Sequence, residues 1–298
     1  MKYALISGGT GGIGTELCRS FARRGYQVIA TAPPGYEGEL EVLKKECGVI
    51  PVVLDVANLD DIKKLKKIVE AETGGRLDIL YNNAGIAVGG PAVVFDDDAV
   101  AKLYQVNLLG HIYMTKYMLE FVINAQGAII YTALVAERVP LTWCAHYNAT
   151  KAAIDHYAKT LRGEMAPFGV RVYLIITGGV DTPISGRNPA AKQKMVDMVM
   201  ALPFAVPELE ETMRATSLMT NKTWPPKRYA ELVVAEIESR TLSFNIYRGQ
   251  AAYLLHFIGR YIPLCIQNYL LAKKFRALEV YRALREKTKR LQQQQRQK

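Results

Sequence analysis

Ser7-Gly8-Gly9-Thr10-Gly11-Gly12-Ile13-Gly14 follows the apolar run Tyr3-Ala4-Leu5-Ile6 and leads into a helical pattern, Leu17 and Phe21, that closes on Arg23, Arg24 and Gly25. That order is strand, glycine turn, helix. Glycines let the backbone turn tightly and approach a pyrophosphate closely, and the helix N-terminus behind them offers unpaired N–H groups to it. With a strand before it and a helix after it, the segment reads as a dinucleotide-binding turn rather than an ordinary glycine-rich loop.

Outward from this turn, the chain alternates. Strands are expected near 2–7, 27–31, 49–54, 77–81, 127–132, 170–176 and 244–247, with helical segments between them. The pattern predicts an α/β fold: a Rossmann-type, doubly wound parallel sheet of about seven strands with helices on both faces and a C-terminal helical appendage. The chain has 298 residues, half of them apolar, which suffices for one sizeable core, and no linker or internal repeat marks a second. The expected division is one domain over 1–250, with a lid at about 183–226, and an apolar then basic appendage over 251–298.

A second motif carries the chemistry. In Tyr147-Asn148-Ala149-Thr150-Lys151 the tyrosine and lysine are four apart, so on a helix they share a face and the ammonium can favour the ionised phenol. Taken with Gly8-x-x-x-Gly12-x-Gly14, this resembles the short-chain dehydrogenase/reductase family, and further motifs match in order. Asp55 follows Val52-Val53-Leu54. Asn82-Asn83-Ala84-Gly85 follows Leu77 to Tyr81, and Asn107 lies in Val106-Asn107-Leu108. Thr177-Gly178-Gly179-Val180-Asp181-Thr182 matches the loop near the nicotinamide, with Thr177 where proline is common.

The resemblance implies hydride transfer between a nicotinamide and a carbonyl carbon. Tyr147 would be the acid or base, Lys151 would bind the nicotinamide ribose and lower the phenol's pKa, and Asn107 would hold a water leading to solvent. It implies cofactor contacts from Gly8, Thr10, Gly12, Ile13, Gly14, Asp55, Val56, Asn83, Ala84, Gly85, Tyr147, Lys151, Val180 and Thr182. Thirteen residues before Tyr147 the family has a serine that hydrogen-bonds the substrate oxygen, and here that place is Leu134. Thr132, Thr142, His146 or a substrate hydroxyl are the candidate replacements. The expected function is therefore NAD(P)H-dependent reduction of a hydrophobic, lipid-like or secondary-metabolite-like carbonyl compound with an altered triad. The alternative keeps Tyr147 for proton transfer in a non-redox isomerisation, dehydration or cyclisation, and a third reading is an inactive regulatory subunit.

The second strand ends in Ala32-Pro33-Pro34, with neither the acidic residue that would hold the ribose of NAD nor an arginine for the phosphate of NADP. Within the family the chain resembles yeast-type 1-acyl-dihydroxyacetone-phosphate reductases in residues 147–153 and in its apolar C-terminal region. That resemblance implies NADP(H) over NAD(H), with recognition of the 2′-phosphate left open. Five of the nine methionines, Met195, Met198, Met200, Met213 and Met219, fall in the lid. They suit an irregular apolar ligand or, equally, a packed lid.

From Lys273 to Lys298 ten Lys or Arg face Glu279 and Glu286, a balance of +8 that leaves +2 of the total +10 for everything before. An apolar stretch at 251–272 precedes this tail but is interrupted by His256, Arg260, Pro263 and Gln267, so a clean membrane span is not expected. Peripheral contact of 251–298 with an anionic membrane is one expectation, and packing on the domain or on a partner subunit is the other. Nucleic-acid binding is not expected, because the basic run lacks a recognition fold. Met1-Lys2 leads straight into the first strand, and Cys18, Cys47, Cys144 and Cys265 are scattered without a paired motif. These features argue for a cytoplasmic, cytosol-facing protein with no disulfide framework and no metal site. A homo-oligomer, dimer or tetramer, is expected.

Overall fold

The structure is a computed structural model, and it describes residues 1–182, 189–202, 205–217 and 223–296. Seven strands, β1 (Lys2–Ser7), β2 (Tyr26–Ala32), β3 (Ile50–Val53), β4 (Ile79–Asn82), β5 (Ala128–Leu134), β6 (Arg171–Thr177) and β7 (Asn245–Arg248), form one sheet. All pairings are parallel and the order is β3-β2-β1-β4-β5-β6-β7. The order reverses between β1 and β4, so a crevice opens at the carboxyl ends of those strands, where ligands bind in such sheets.

Alternation along each strand splits the core in two. Leu5, Ile129, Tyr131 and Ala133 face one layer, where they meet α3 (Leu59–Thr73), α5 (Gly110–Ala125) and α6 (Ala145–Met165) through Leu65, Met114 and Ile154. Ala4, Ile6, Ala128 and Ile130 face the other, against α1 (Gly12–Arg23), α2 (Glu37–Cys47) and α9 (Pro226–Glu238) through Phe21, Leu40 and Val233. The near-continuous apolar runs of β5 and β6 reflect strands covered on both faces. Helix α4 (Asp97–Tyr104) is capped by Asp96, whose Oδ1 accepts from the N–H of Ala99 at 2.7 Å. All seven strands fall within two residues of their expected bounds.

The lid and appendage are helical. α7 (Pro189–Met200) and α8 (Pro207–Ser217) precede α9, and the chain ends in α10 (Ala252–Tyr261), α11 (Leu264–Lys274) and α12 (Ala277–Arg296). Val280 of α12 is buried among Val196, Val199, Val206 and Leu209 of the lid region, with Met200 packed on them. Met200 thus fits the packed-lid expectation; Met219 and the side chains of Met195 and Met213 lie outside the described residues. The basic tail is continued helix through Arg296. Among the described residues no helix is long and apolar enough to cross a membrane, and no group of His, Cys, Asp or Glu has the arrangement of a metal site.

Candidate active site

The glycine turn closes on the loop after β4. A side chain at Gly14 would put its Cβ 1.9 Å from the Gly8 carbonyl oxygen, and one at Gly8, whose φ is +66°, would lie 2.8 Å from the Ala84 Cα. Buried Ser7, the last residue of β1, ties the two loops together: its hydroxyl accepts from the N–H groups of Asn83 at 3.0 Å and Ala84 at 3.1 Å. The Asn83 amide in turn donates to the carbonyls of Ser7 and Gly8, each at 3.2 Å. Helix α1 starts without a side-chain cap, so its first-turn N–H groups are free for an anion at the crevice. Thr10, Gly12 and Ile13 lie half-buried at the same place. A backbone this close, with an uncapped helix start behind it, fits the pyrophosphate of a dinucleotide.

A second layer holds this loop from behind. Buried His111 on α5 places Nε2 2.8 Å from the Ala84 carbonyl. Because a carbonyl only accepts, Nε2 carries the proton. Burial first, and the Lys151 charge second, lower the imidazole pKa to about 3, so the ring stays neutral and the bond persists. Asn107 lies in a π-turn over Gln105–Leu109 and is fully buried. Its amide brackets Ile86, accepting from its N–H and donating to its carbonyl, each at 2.9 Å, and also donates to the Thr150 hydroxyl at 3.3 Å. The Thr150 hydroxyl donates to the Tyr147 carbonyl at 2.8 Å. Asn107 therefore fixes the loop after β4 against the start of α6.

On α6, Lys151 is buried and donates from Nζ to the Thr132 carbonyl at 3.0 Å, lying 5.8 Å from the centre of the Tyr147 ring. A Cβ on Gly85 would fall 3.8 Å from Nζ and 3.4 Å from the Asn107 amide oxygen, which brings Gly85, Asn107, Tyr147 and Lys151 to one point at the end of the sheet. Burial lowers the Lys151 pKa to about 8, with Glu137 pulling the other way. The Tyr147 phenol is pushed well above its usual value, by burial first and then by Cys144 and Glu137. In this arrangement burial dominates at both groups, favouring the neutral phenol and weakening the hold of Lys151 on its proton.

Leu134 ends β5 in regular register, opposite Thr177. It packs in one cluster with Leu141, Cys144, Leu271 and Phe275, so the position where the resemblance leads one to expect a hydroxyl is an apolar contact between the sheet and α11 and the residue after it. Thr132 is two residues earlier with no bulge between, and its hydroxyl donates to the Asn83 side-chain oxygen at 3.2 Å. It is therefore tied to the cofactor loop rather than placed beside Tyr147. His146 is turned to Ala92, its Nε2 3.0 Å from that carbonyl, with its ring edge-on to Phe95. Of the side chains considered as replacement donors, Thr142 is left.

The remaining expected contacts line the crevice less directly. Both carboxylate oxygens of Asp55 are engaged, one by the N–H of Ala57 at 2.9 Å and one by Lys102 at 2.7 Å. Partial burial works against its charge, but the Lys102 and Ala57 bonds hold the carboxyl below its usual value. Val56 next to it is buried. Val180 bridges to Trp224, and Thr182 is half-buried at the edge of the described residues. After β2, Pro33 and Pro34 lead to Gly35, whose N–H is taken by the Glu37 carboxylate at 2.9 Å. The turn itself, Ala32-Pro33-Pro34-Gly35-Tyr36, contains no Lys or Arg.

Ser7, His111 and Glu137 were not singled out from the sequence. Ser7 and His111 had a signal, as polar residues at a strand end and four positions after Asn107; Glu137 had none. Its side chain is 2% exposed, its Oε1 is 3.0 Å from Arg138 Nε without hydrogen-bond alignment, and burial raises its pKa from 4.5 to about 8. Arg138 spends its hydrogen bond on Asp155 at 2.8 Å, and Asp155 also takes Lys159.

Residues 2–193 match the family model described as short chain dehydrogenase. The chain is 35% identical over 292 residues to the NADPH-dependent 1-acyldihydroxyacetone phosphate reductase of Saccharomyces cerevisiae, covering 97% of this chain and 96% of that one. It is 35% identical over 261 residues to the short-chain dehydrogenase fogD of Aspergillus ruber, with 87% and 88% covered. Among solved structures, a short-chain dehydrogenase from Streptomyces avermitilis superposes with a TM-score of 0.73 at 21% identity, over 94% of this chain and 97% of that one.

Proposed function

Since the chain belongs to the short-chain dehydrogenase family, we propose that it is an NADPH-dependent reductase acting on the ketone or aldehyde carbonyl of a hydrophobic substrate. The observation that carries this reading is the convergence of Tyr147, Lys151, Asn107 and Gly85 beside a glycine turn too tight for any side chain at Gly14.

The nicotinamide, when bound, supplies the hydride. Gly8, Gly12 and Gly14 with the N-terminus of α1 would hold its pyrophosphate, while Asn83, Ala84 and Gly85 line the adjoining wall. Tyr147 gives its phenolic proton to the substrate oxygen as the carbonyl is reduced. Lys151, fixed on the Thr132 carbonyl, keeps a positive charge near the phenol and offsets the phenolate left behind. Leu134 contributes no donor, so the oxyanion relies on Tyr147 and on Thr142 or a hydroxyl of the substrate. Loss of one such donor costs about 100- to 1,000-fold in turnover, which predicts a slow enzyme or one whose substrate brings the missing hydroxyl.

NADPH is favoured over NADH by the name of the yeast relative. The turn after β2 carries no Lys or Arg, so any preference for NADPH rests on contacts other than a conventional arginine there. That relative's compound, a ketone bearing an acyl chain, also makes an acyl ketone the first substrate to try, consistent with the apolar wall of Leu134, Leu141 and Phe275. The reductase names favour redox chemistry over the proton-transfer alternative. The test follows loss of the reduced-nicotinamide absorbance with acyl ketones and polyketide-like ketones. Tyr147→Phe should lower turnover at least 1,000-fold, on the order of a lost general acid plus its hydrogen bond, while leaving NADPH binding intact. Turnover of a substrate that needs Tyr147 but consumes no NADPH would instead establish proton-transfer chemistry.

A further inference from the structure

Helices α10 and α11 form a hairpin whose polarity is inverted. A helix packed on a soluble domain turns its large apolar side chains inward. Here Tyr253, Leu254, Phe257 and Tyr261 of α10 are between 54% and 66% exposed, and they follow one stripe at i, i+1, i+4 and i+8. On α11, Leu264, Ile266, Tyr269 and Leu270 are exposed as well. Several inward positions hold small or polar residues, Ala252, Gly259, Gln267 and Ala272, while Leu255 and Leu271 make the apolar contact with the domain. Gln267 is 5% exposed and donates to the Ile262 carbonyl at 2.7 Å, which fixes the turn between the helices.

Eight of the eighteen large exposed apolar residues of the described chain thus fall within eighteen positions. At roughly 150–250 Å² for each aromatic, the patch reaches several hundred Å², the size at which an apolar surface marks an interaction site. Charge identifies the partner. Residues 251–276 contain no Asp or Glu, Arg260 borders the patch on α10, and Lys273 and Lys274 close α11, both exposed. The following helix, Ala277–Arg296, adds six Lys or Arg against Glu279 and Glu286. A second copy of this chain would bring the same positive charge to the contact and repel it, whereas an anionic lipid surface is apolar a few ångströms below its headgroups and negative at them.

We infer that the α10–α11 hairpin is an interfacial anchor, lying in the plane of an anionic phospholipid membrane with Tyr253, Leu254, Phe257, Tyr261 and the α11 stripe among the acyl chains and Arg260, Lys273 and Lys274 at the phosphates. The anchor is rigidly joined to the candidate active site. At Gly259 a Cβ would sit 1.9 Å from the Arg138 carbonyl, so α10 rests on the turn after β5, and Leu271 and Leu134 pack on the same small cluster of Leu141 and Phe275. A cleft of about 560 Å³ runs between this hairpin and α6, lined by Pro140, Asn148, Ala152, Ile262 and Leu264. Docking therefore sets this cleft beside the lipid. The inference does not depend on the reaction proposed above.

The test is sedimentation of the purified full chain with phosphatidylcholine vesicles and with phosphatidylcholine/phosphatidylserine vesicles, at low and high salt. Binding to the anionic vesicles is expected, weakened by salt. Leu254→Ser/Phe257→Ser should reduce partitioning at least tenfold, and Lys273→Glu/Lys274→Glu should reduce it about tenfold or more on anionic vesicles alone. All four side chains are exposed, so unchanged thermal unfolding is expected of both variants, and the charge pair stands as an independent arm if the apolar pair does not fold. Equal partitioning of both variants and the parent, or no binding to either vesicle, would overturn the inference. So would a dimer in solution that Leu254→Ser/Phe257→Ser dissociates while vesicles bind nothing, which would make the patch a contact between copies.

Discussion

A carboxyl group closed into a wall beside an arginine that is already committed elsewhere gives up its charge more easily than its place. Glu137 is in that position, with Arg138 bonded to Asp155 and both Glu137 oxygens without a hydrogen bond. The folded chain holds its proton up to about pH 8, whereas unfolded it loses it near 4.5. Between these values the native state binds more protons, so stability falls as pH rises from about 4.5 to 8 and is flat above. Glu137→Gln, which never ionises, should escape this loss. Its advantage over the parent is expected to be absent near pH 4, to grow to about 3–5 kcal/mol at pH 8, and to be read from denaturant midpoints across that range. A constant difference between the two proteins would mean that Glu137 is ionised when buried. Glu137 was illegible in the sequence because its burial comes from distant parts of the chain. Leu134 was legible only as a missing hydroxyl; its contact with Phe275 was hidden for the same reason, since no spacing rule links β5 to a helix end so far along the chain. Gly8, Gly14 and Tyr147 were legible because each answers a local demand of backbone or helix face.

At the level of elements, the strands were readable to within two residues because each is a short apolar run bounded by turn residues, covered on both faces. The C-terminal helices were less so. Residues 251–272 read as one interrupted apolar stretch, and two of the interruptions prove to be its architecture: Pro263 sits at the turn and Gln267 ties it, while Gly259, which had not been singled out, lets α10 meet the backbone of Arg138. Alanine normally improves a helix over glycine by about 1 kcal/mol. At Gly259 the clash with the Arg138 carbonyl should reverse the sign. Gly259→Ala is expected to destabilise by about 1–3 kcal/mol as α10 is forced off the turn, measured as a lower thermal midpoint; a raised midpoint would show that the hairpin yields freely.

For the whole molecule, the two cofactor loops meet only when β1, β4 and α5 are all in place, since Ser7, Asn83 and His111 come from three separate segments. The crevice is then a property of the folded chain, and a ligand bound there stabilises the whole by mass action. NADPH at 100 times its dissociation constant should add about 2.7 kcal/mol to unfolding, seen as a higher thermal midpoint, with NADH at the same concentration giving less. Gly14→Ala, whose Cβ cannot fit beside the Gly8 carbonyl, should abolish both shifts while the protein still unfolds cooperatively. Equal shifts with NADH and NADPH would remove the stated cofactor preference.

The packing of Leu134 on Leu271 and Phe275 also bears on how the chain can be shortened. A protein cut after residue 250 would not be the same catalyst relieved of a tail. It would lose Leu271 and Phe275 from the cluster that holds Leu134 at the end of β5 and uncover Val196, Val199 and Leu209 where Val280 had covered them. Truncation would thus confound lost attachment with a disturbed β5 end and an uncovered lid cluster, and only single side chains on the outer face of the hairpin can separate the two.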